Sequence, residues 1–240
     1  ILNRDDKFFN YLKYQAQLRH IKVRTFGKSK NSDVQLIKIK KSNNEKIIIV
    51  KINKTNLHFK IKDINIYNVL ASLAVLIELK LDIYKCLEIF KNLQPSEGRG
   101  KVYKVKRYRK NFKLIDDSYN ANPLSVKNAI KNFGEIKKKK FKKYLLLGDM
   151  LELGKRSKIY HSELSKLINS SDIDKVFVIG EKSLFTFKNL IKNKRGNILQ
   201  CDQDVDLILQ NIIANRDYLM IKGSNATGLN TISKAMIKGI

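Results

Sequence analysis

The amino-acid sequence predicts an α/β protein in two parts. Residues 1–94 read as an antiparallel meander with helices, and residues 95–240 as a mostly parallel sheet covered by helices on both faces. Three observations support this. Three β-rich runs separated by polar Asn/Lys/Ser turns occupy the first part. In the second, short apolar strands alternate with helical stretches, as parallel crossovers require. Between them stands Gln94-Pro95-Ser96-Glu97-Gly98, and Pro95 is one of only 2 prolines in the chain.

The first residues, LNRDD, read as the end of a strand running into a loop, so a fragment of a longer protein is expected. Residues 6–20 have helical periodicity, with Phe9, Leu12, Ala16 and Leu18 apolar, and Val23–Phe26 follows as a short strand. Strands Val34–Ile39, Lys46–Ile52 and Leu57–Ile61 form the meander, the first two joined by a turn at Lys41–Asn44. Asn65–Leu79 is apolar on every helical face and is expected to be buried on most sides. A shorter helix, Ile83–Asn92, closes the first part.

Past Pro95, strands are expected at Lys101–Arg107, Phe112–Asp116, Tyr144–Leu147, Lys175–Ile179, Asn197–Cys201 and Tyr218–Ile221. The intervening helices fall at Pro123–Phe133, Ser157–Ile168, Lys182–Ile191, Val205–Ala214 and Gly228–Lys238. Ligands of such sheets gather at the carboxyl ends of the strands, where loops 116–123, 148–154, 180–181 and 222–228 lie.

Composition narrows the function classes. The chain has 240 residues, 49 Lys+Arg against 22 Asp+Glu, a net charge of +27 and 43% hydrophobic residues, so it is too apolar for a disordered basic tail. The basic residues are 40 Lys and only 9 Arg, and Lys, Ile and Asn together make 93 of the 240 positions. All three have A/T-rich codons, and the Lys is spread along the chain rather than clustered as an Arg-based base reader would need. No nucleic-acid partner is therefore expected. The one dense run, Lys137–Lys143, reads as a solvated loop or helix end before a strand. No apolar run approaches the roughly 20 residues that cross a bilayer, and no signal segment opens the chain. A cytoplasmic protein is expected. Cys86 and Cys201 lack metal-ligand spacing and read as buried free thiols.

Three loops concentrate chemistry. DDSYNANP, Asp116–Pro123, brings two carboxylates, a hydroxyl, a phenol and two carboxamides to one strand end; Asn122 and Pro123 alone are accounted for by helix initiation. In LGDMLELG, Leu147–Gly154, Asp149 and Glu152 could meet a cationic group, although a glycine-bearing β-to-α turn explains the pattern equally. KGSNATG, Lys222–Gly228, offers Lys222, Ser224 and backbone amides at a helix start, a setting that binds anions. Arg99 stands in a linker where it could reach a ligand. His161, alone on a predicted helix, reads as a packing or capping residue rather than a catalyst. No G-x-x-x-x-G-K-[ST] segment occurs to cradle a triphosphate.

DDSYNANP, LGDMLELG, a helical His161 and KGS, in that order, resemble the Mur ligase family. LNRDD, the NIYN of Asn65–Asn68 and Gly98-Arg99 extend the resemblance along the chain. The resemblance implies that residues 1–94 are the distal part of a central ATPase domain whose P-loop half lies upstream, and that residues 95–240 are a C-terminal Rossmann-like ligase domain. It implies ATP-driven amide formation: the carboxylate of UDP-MurNAc-tripeptide attacks the γ-phosphate, and the amine of D-Ala-D-Ala captures the acyl phosphate. By the same resemblance, Asn65 and Asn68 would contact adenine, and Asp117 the ribose. Tyr119, Asn120 and Asn122 would shape that nucleotide face, and Arg99 would approach the phosphates. Lys222 and Ser224 would meet the incoming dipeptide, with Asp149 and Glu152 lining its cleft. Arg99 and Lys222 would be the catalytic cations. Mg2+ would accompany ATP and be held mainly outside this chain, with no metal ligand within it. The resemblance also implies a monomer. Alternatives are a sister Mur-type or folate polyglutamate ligase, or a basic nucleotide- or nucleic-acid-binding module without catalysis.

Overall fold

A computed structural model describes residues 1–42, 45–61, 64–137 and 140–238. These fall into two compact units, Ile1–Pro95 and Ser96–Ile240.

The first unit is a five-stranded sheet with helices. Its strands are β1 (Leu2–Asn3), β2 (Thr25–Gly27), β3 (Val34–Ser42), β4 (Glu45–Ile52) and β5 (Thr55–Ile61), lying side by side in chain order. β1, β2 and β3 run parallel, whereas β3, β4 and β5 form an antiparallel meander. Of the predicted turn at Lys41–Asn44, Asn43 and Asn44 lie outside the described residues. Leu57, Phe59 and Ile61 alternate inward along β5 and join Ile48, Val50 and Val34 beneath helix α2 (Ile66–Glu78). The helix α1 (Phe9–Leu18) precedes β2, and α3 (Ile83–Asn92) follows α2.

Two expectations are corrected here. α2 buries one face, through Val69, Leu70, Leu73 and Ala74, while Val75 stays exposed, because only one side of the helix meets the sheet. α1 buries Phe9 alone, and its expected apolar stripe leaves Leu12 and Leu18 exposed.

The second unit is a six-stranded sheet in the order β10-β9-β8-β11-β7-β6. The strands are β6 (Lys101–Arg107), β7 (Lys110–Asp117), β8 (Lys143–Gly148), β9 (Lys175–Ile179), β10 (Arg195–Leu199) and β11 (Tyr218–Lys222). All pair in parallel except β6, which makes an antiparallel hairpin with β7. Helices α4 (Pro123–Gly134), α5 (Ser157–Asn169) and α6 (Ser183–Lys188) cover one face over Leu145, Leu147 and Val176. α7 (Asp202–Ile212) and α8 (Leu229–Lys238) cover the other over Tyr144, Leu146 and Leu219. Alternate residues of β8 thus serve opposite cores, which is why that strand reads as an unbroken apolar run.

Local hydrogen bonds move several boundaries. Gln200 and Cys201 were expected to end a strand; instead their amides donate to Asp204 Oδ2 at 2.8 and 3.3 Å. The acceptor draws the chain into a helix start, so α7 begins earlier than the apolar pattern suggests. Cys201 is therefore exposed, not a buried thiol, and Cys86 on α3 is only half-buried. Within the basic run, Lys138 and Lys139 lie outside the described residues. Lys143 is not solvated but fully buried, its Nζ donating to Gly134 O at 2.8 Å and pairing with Asp172 at 3.3 Å. Among the described residues no helix is long and apolar enough to cross a membrane.

Candidate functional site

In the second unit, the carboxyl ends of β7, β8, β9 and β11 bring the predicted loops together. The parallel register sets Lys222 beside Asp117 on one side and Leu147 on the other. Lys222 is 1% exposed. Its Nζ donates to the carbonyls of Asn120 and Asp117, and it pairs with the Asp117 carboxylate at 3.4 Å. Burial pushes the Lys222 ammonium below its ordinary pKa and the Asp117 carboxyl above its own, with each charge partly restoring the other. The donors of Lys222 are taken up by the DDSYNANP loop, which the ammonium braces against β11. Asn120 contributes its carbonyl to that brace and leaves an exposed side chain.

Asp116, one of the two carboxylates of DDSYNANP but given no role of its own by the sequence, ties this loop to the preceding linker. One of its carboxylate oxygens accepts from Gly98 N–H at 2.9 Å, and the other from the Ser118 hydroxyl at 2.6 Å. Tyr119 N–H donates to Gly98 O at 3.1 Å, completing the stitch. The exposed Arg99 guanidinium then lies 4.4 Å from the centroid of the Tyr119 ring. The signal for Asp116 was its place as the last inward position of an apolar strand, where an unpaired carboxylate is costly.

Gly98 has φ +69°, and a Cβ there would lie 2.7 Å from the Cβ of Tyr119. Gly98→Ala is therefore expected to cost about 1–3 kcal/mol through the strained backbone and the clash. Urea unfolding of the chain checks this; an unchanged midpoint would mean that the linker is free of Tyr119.

The LGDMLELG loop is pinned from three sides. Asp149, expected to line the cleft of the incoming dipeptide, caps α6, accepting from Ser183 N–H at 2.7 Å and Lys182 N–H at 3.1 Å. Two amides at a helix start satisfy a buried carboxylate more fully than one exposed partner would. Ser224 N–H donates to Asp149 O at 3.1 Å, and its hydroxyl accepts from Leu151 N–H at 3.1 Å. His161 is fully buried. Its Nε2 accepts from Met150 N–H at 2.9 Å and its Nδ1 faces Ser157 O at 2.8 Å, which fixes Nδ1 as the protonated nitrogen. The side chain thus has the structural place its lone position in the sequence indicated. Glu152 is exposed in the left-handed region at φ +61°. Asn122 is correctly read as an N-cap, its Oδ1 accepting from Ser125 N–H at 2.8 Å.

The KGSNATG loop does not present a run of open amides. Thr227 and Gly228 N–H close a short 3-10 turn on Ser224 and Asn225 ahead of α8.

In the first unit, Asn65 and Asn68 lie exposed on the first turn of α2, three residues apart and hence on one side of the helix. Asn65 Oδ1 caps the helix by accepting from Tyr67 N–H at 2.9 Å, which leaves its amide nitrogen as the group to reach a ligand. This turn is anchored by Asp5. That carboxylate accepts from the amides of Lys28 and Ser29 at 2.6 and 2.9 Å, the Ser29 hydroxyl at 2.5 Å and the Tyr67 phenol at 3.0 Å. Burial alone would raise its pKa, but these donors together hold it below the usual carboxylate value. Among the described residues no group of three or more His, Cys, Asp or Glu could hold a metal ion.

The family model "Mur ligase middle domain" matches residues 1–76, and "Mur ligase, glutamate ligase domain" matches residues 98–225. The protein named UDP-N-acetylmuramoyl-tripeptide–D-alanyl-D-alanine ligase of Buchnera aphidicola subsp. Baizongia pistaciae is 32% identical over 183 residues, covering 72% of this chain and 36% of that protein. Two solved structures share the fold. The MurF ligase of Thermotoga maritima, in complex with ADP, has a TM-score of 0.73 at 22% identity, covering 97% of this chain and 52% of its own. MurF of Acinetobacter baumannii has a TM-score of 0.78 at 19% identity, with 99% and 51% covered. The chain spans about a third of the curated relative and about half of each structure.

Proposed function

The chain belongs to the Mur ligase family, and from that membership we propose that it is the distal part of an ATP-dependent ligase joining D-Ala-D-Ala to UDP-MurNAc-tripeptide in peptidoglycan precursor synthesis. One observation carries the reading: the loops DDSYNANP, LGDMLELG and KGS converge at the carboxyl ends of one sheet, locked together by Lys222 and Ser224. A ligase needs such a rigid frame to hold a carboxylate and an amine in line.

Roles follow from what each side chain leaves open. Arg99, stacked on Tyr119 but exposed, meets phosphate oxygens, and Tyr119 with the Asn120 side chain forms the adjoining surface. Asp117 retains one edge toward solvent for a ribose hydroxyl. Asn65 and Asn68 offer carboxamide groups to adenine. Glu152 is the exposed carboxylate placed to meet the incoming amine. Lys222, Ser224, Asp149 and Asn122 position the loops that the dipeptide and nucleotide touch. ATP supplies the phosphoryl group that makes a carboxylate electrophilic. Mg2+, which favours oxygen ligands and phosphates, is held by residues of the P-loop-bearing part. The working protein is a cytoplasmic monomer.

The test joins this chain to a P-loop-bearing half of the family. The 240-residue chain alone releases no phosphate from ATP with both substrates present, and the joined protein does. In the joined protein, Asn65→Ala and Asn68→Ala each raise KM for ATP roughly 3- to 10-fold, the worth of one hydrogen bond, and leave KM for D-Ala-D-Ala unchanged. Phosphate release by the chain alone, or unchanged ATP kinetics in both variants, would overturn the assignment.

A further inference from the structure

The opposite end of the same sheet carries a feature that the ligase reading does not use. At the amino ends of β7 and β11 is a cavity of about 640 Å³. Lys104, Lys106, Lys113, Arg216, Phe141 and Tyr218 line it. It lies four residues along β7 and β11 from Asp117 and Lys222, roughly 13 Å away.

The register explains the cations. Lys104 of β6 pairs directly with Lys113 of β7, which pairs with Tyr218 of β11, so three side chains form one row on the α4 face of the sheet. Lys106 lies one step further along β6 on the same face. Two lysines facing each other across a strand pair are unfavourable without an anion. Lys113 is relieved by Tyr218, its Nζ donating to the phenol at 2.6 Å and lying 4.8 Å from the ring centroid. Lys104, Lys106 and Arg216 are exposed and form no ion pair among the described residues. Arg216 is fixed at the rim in the left-handed region, φ +75°, by its amide donating to Asn111 O at 2.7 Å. Phe141 and Tyr218, both half-buried, stack with centroids 4.7 Å apart and make an apolar wall.

We propose that this cavity is a second small-molecule site, taking a planar ring that carries a phosphate, of the nucleoside monophosphate class. The volume lies within the range of ordinary ligand pockets, about 300–1,000 Å³. The rings supply a stacking wall, and the three unpaired cations supply the charge a phosphate dianion needs. A carboxylate would neutralise only one of them.

Calorimetric titration of the 240-residue chain with UMP, uridine and inorganic phosphate tests this. UMP binds at least tenfold more tightly than either control. The double variant Lys104→Glu/Lys106→Glu, at exposed positions that leave folding intact, weakens UMP at least tenfold, as does Tyr218→Leu. Arg99→Ala leaves UMP binding unchanged, which separates this cavity from the opposite end of the sheet. Equal affinity for all three probes, binding that survives the double charge reversal, or binding of an oligouridine strand without binding of UMP would each overturn the proposal.

Discussion

Replacing Lys222 with Met is expected to destabilise the second unit by about 3–5 kcal/mol, the cost of removing one partner from a buried ion pair. The variant leaves the Asp117 carboxylate without its cation and the carbonyls of Asp117 and Asn120 without their donor. Urea unfolding followed by far-UV circular dichroism reads the loss as a lower midpoint. Adding Asp117→Asn to the variant removes the stranded charge and is expected to recover part of the loss. A double variant no more stable than Lys222→Met would show that a stranded Asp117 charge is not the source of the loss. A loss below about 1 kcal/mol for Lys222→Met would show that the brace contributes no more than an exposed pair.

His161→Leu carries the second large effect. Leucine fills the site without a large cavity, so the expected loss of about 1–3 kcal/mol comes from the orphaned Met150 N–H. Its pH dependence is distinctive. Burial lowers the His161 pKa below its ordinary value of 6.5, while the Ser157 carbonyl and Asp149 oppose the shift. The unfolded chain therefore binds the proton first as pH falls. The stability contributed by the neutral ring is full above pH 6.5 and is lost as pH falls from there through the lower folded pKa. Below pH 6.5 the stability of the natural chain thus falls more steeply than that of the variant. Comparing the two at each pH cancels the groups they share. Parallel pH profiles would mean that His161 is not held neutral.

Much of the fold was legible because period and punctuation agreed. β6, β9 and α3 have the limits that their apolar spacing indicates, whereas the antiparallel hairpin of β6 and β7 was not read, because β7 begins at the polar Lys110 and Asn111, ahead of its apolar run. What spacing does not carry is the partner of a polar group. Lys222 and Asp149 have the composition of ligand-facing residues in a strand-end loop. Their actual partners, Asn120 in one case and Lys182 and Ser183 in the other, come from loops over thirty residues away or more. Asp5 was illegible for the same reason, since a carboxylate that satisfies distant amides looks like any other acid in a chain of 22. Cys201 misled because an apolar neighbourhood in sequence became a helix start in space. His161 was read correctly because a single imidazole on a helix has few alternatives to packing.

The hairpin strand β6 is one open edge of the second sheet, and four of its seven residues are Lys101, Lys104, Lys106 and Arg107. An exposed edge is a template on which another chain can add a strand and start an aggregate. A second copy presenting the same edge would bring two rows of positive charge within about 5 Å of each other. The lysine enrichment of the whole chain is therefore protective at this position, discouraging self-association where the backbone most invites it.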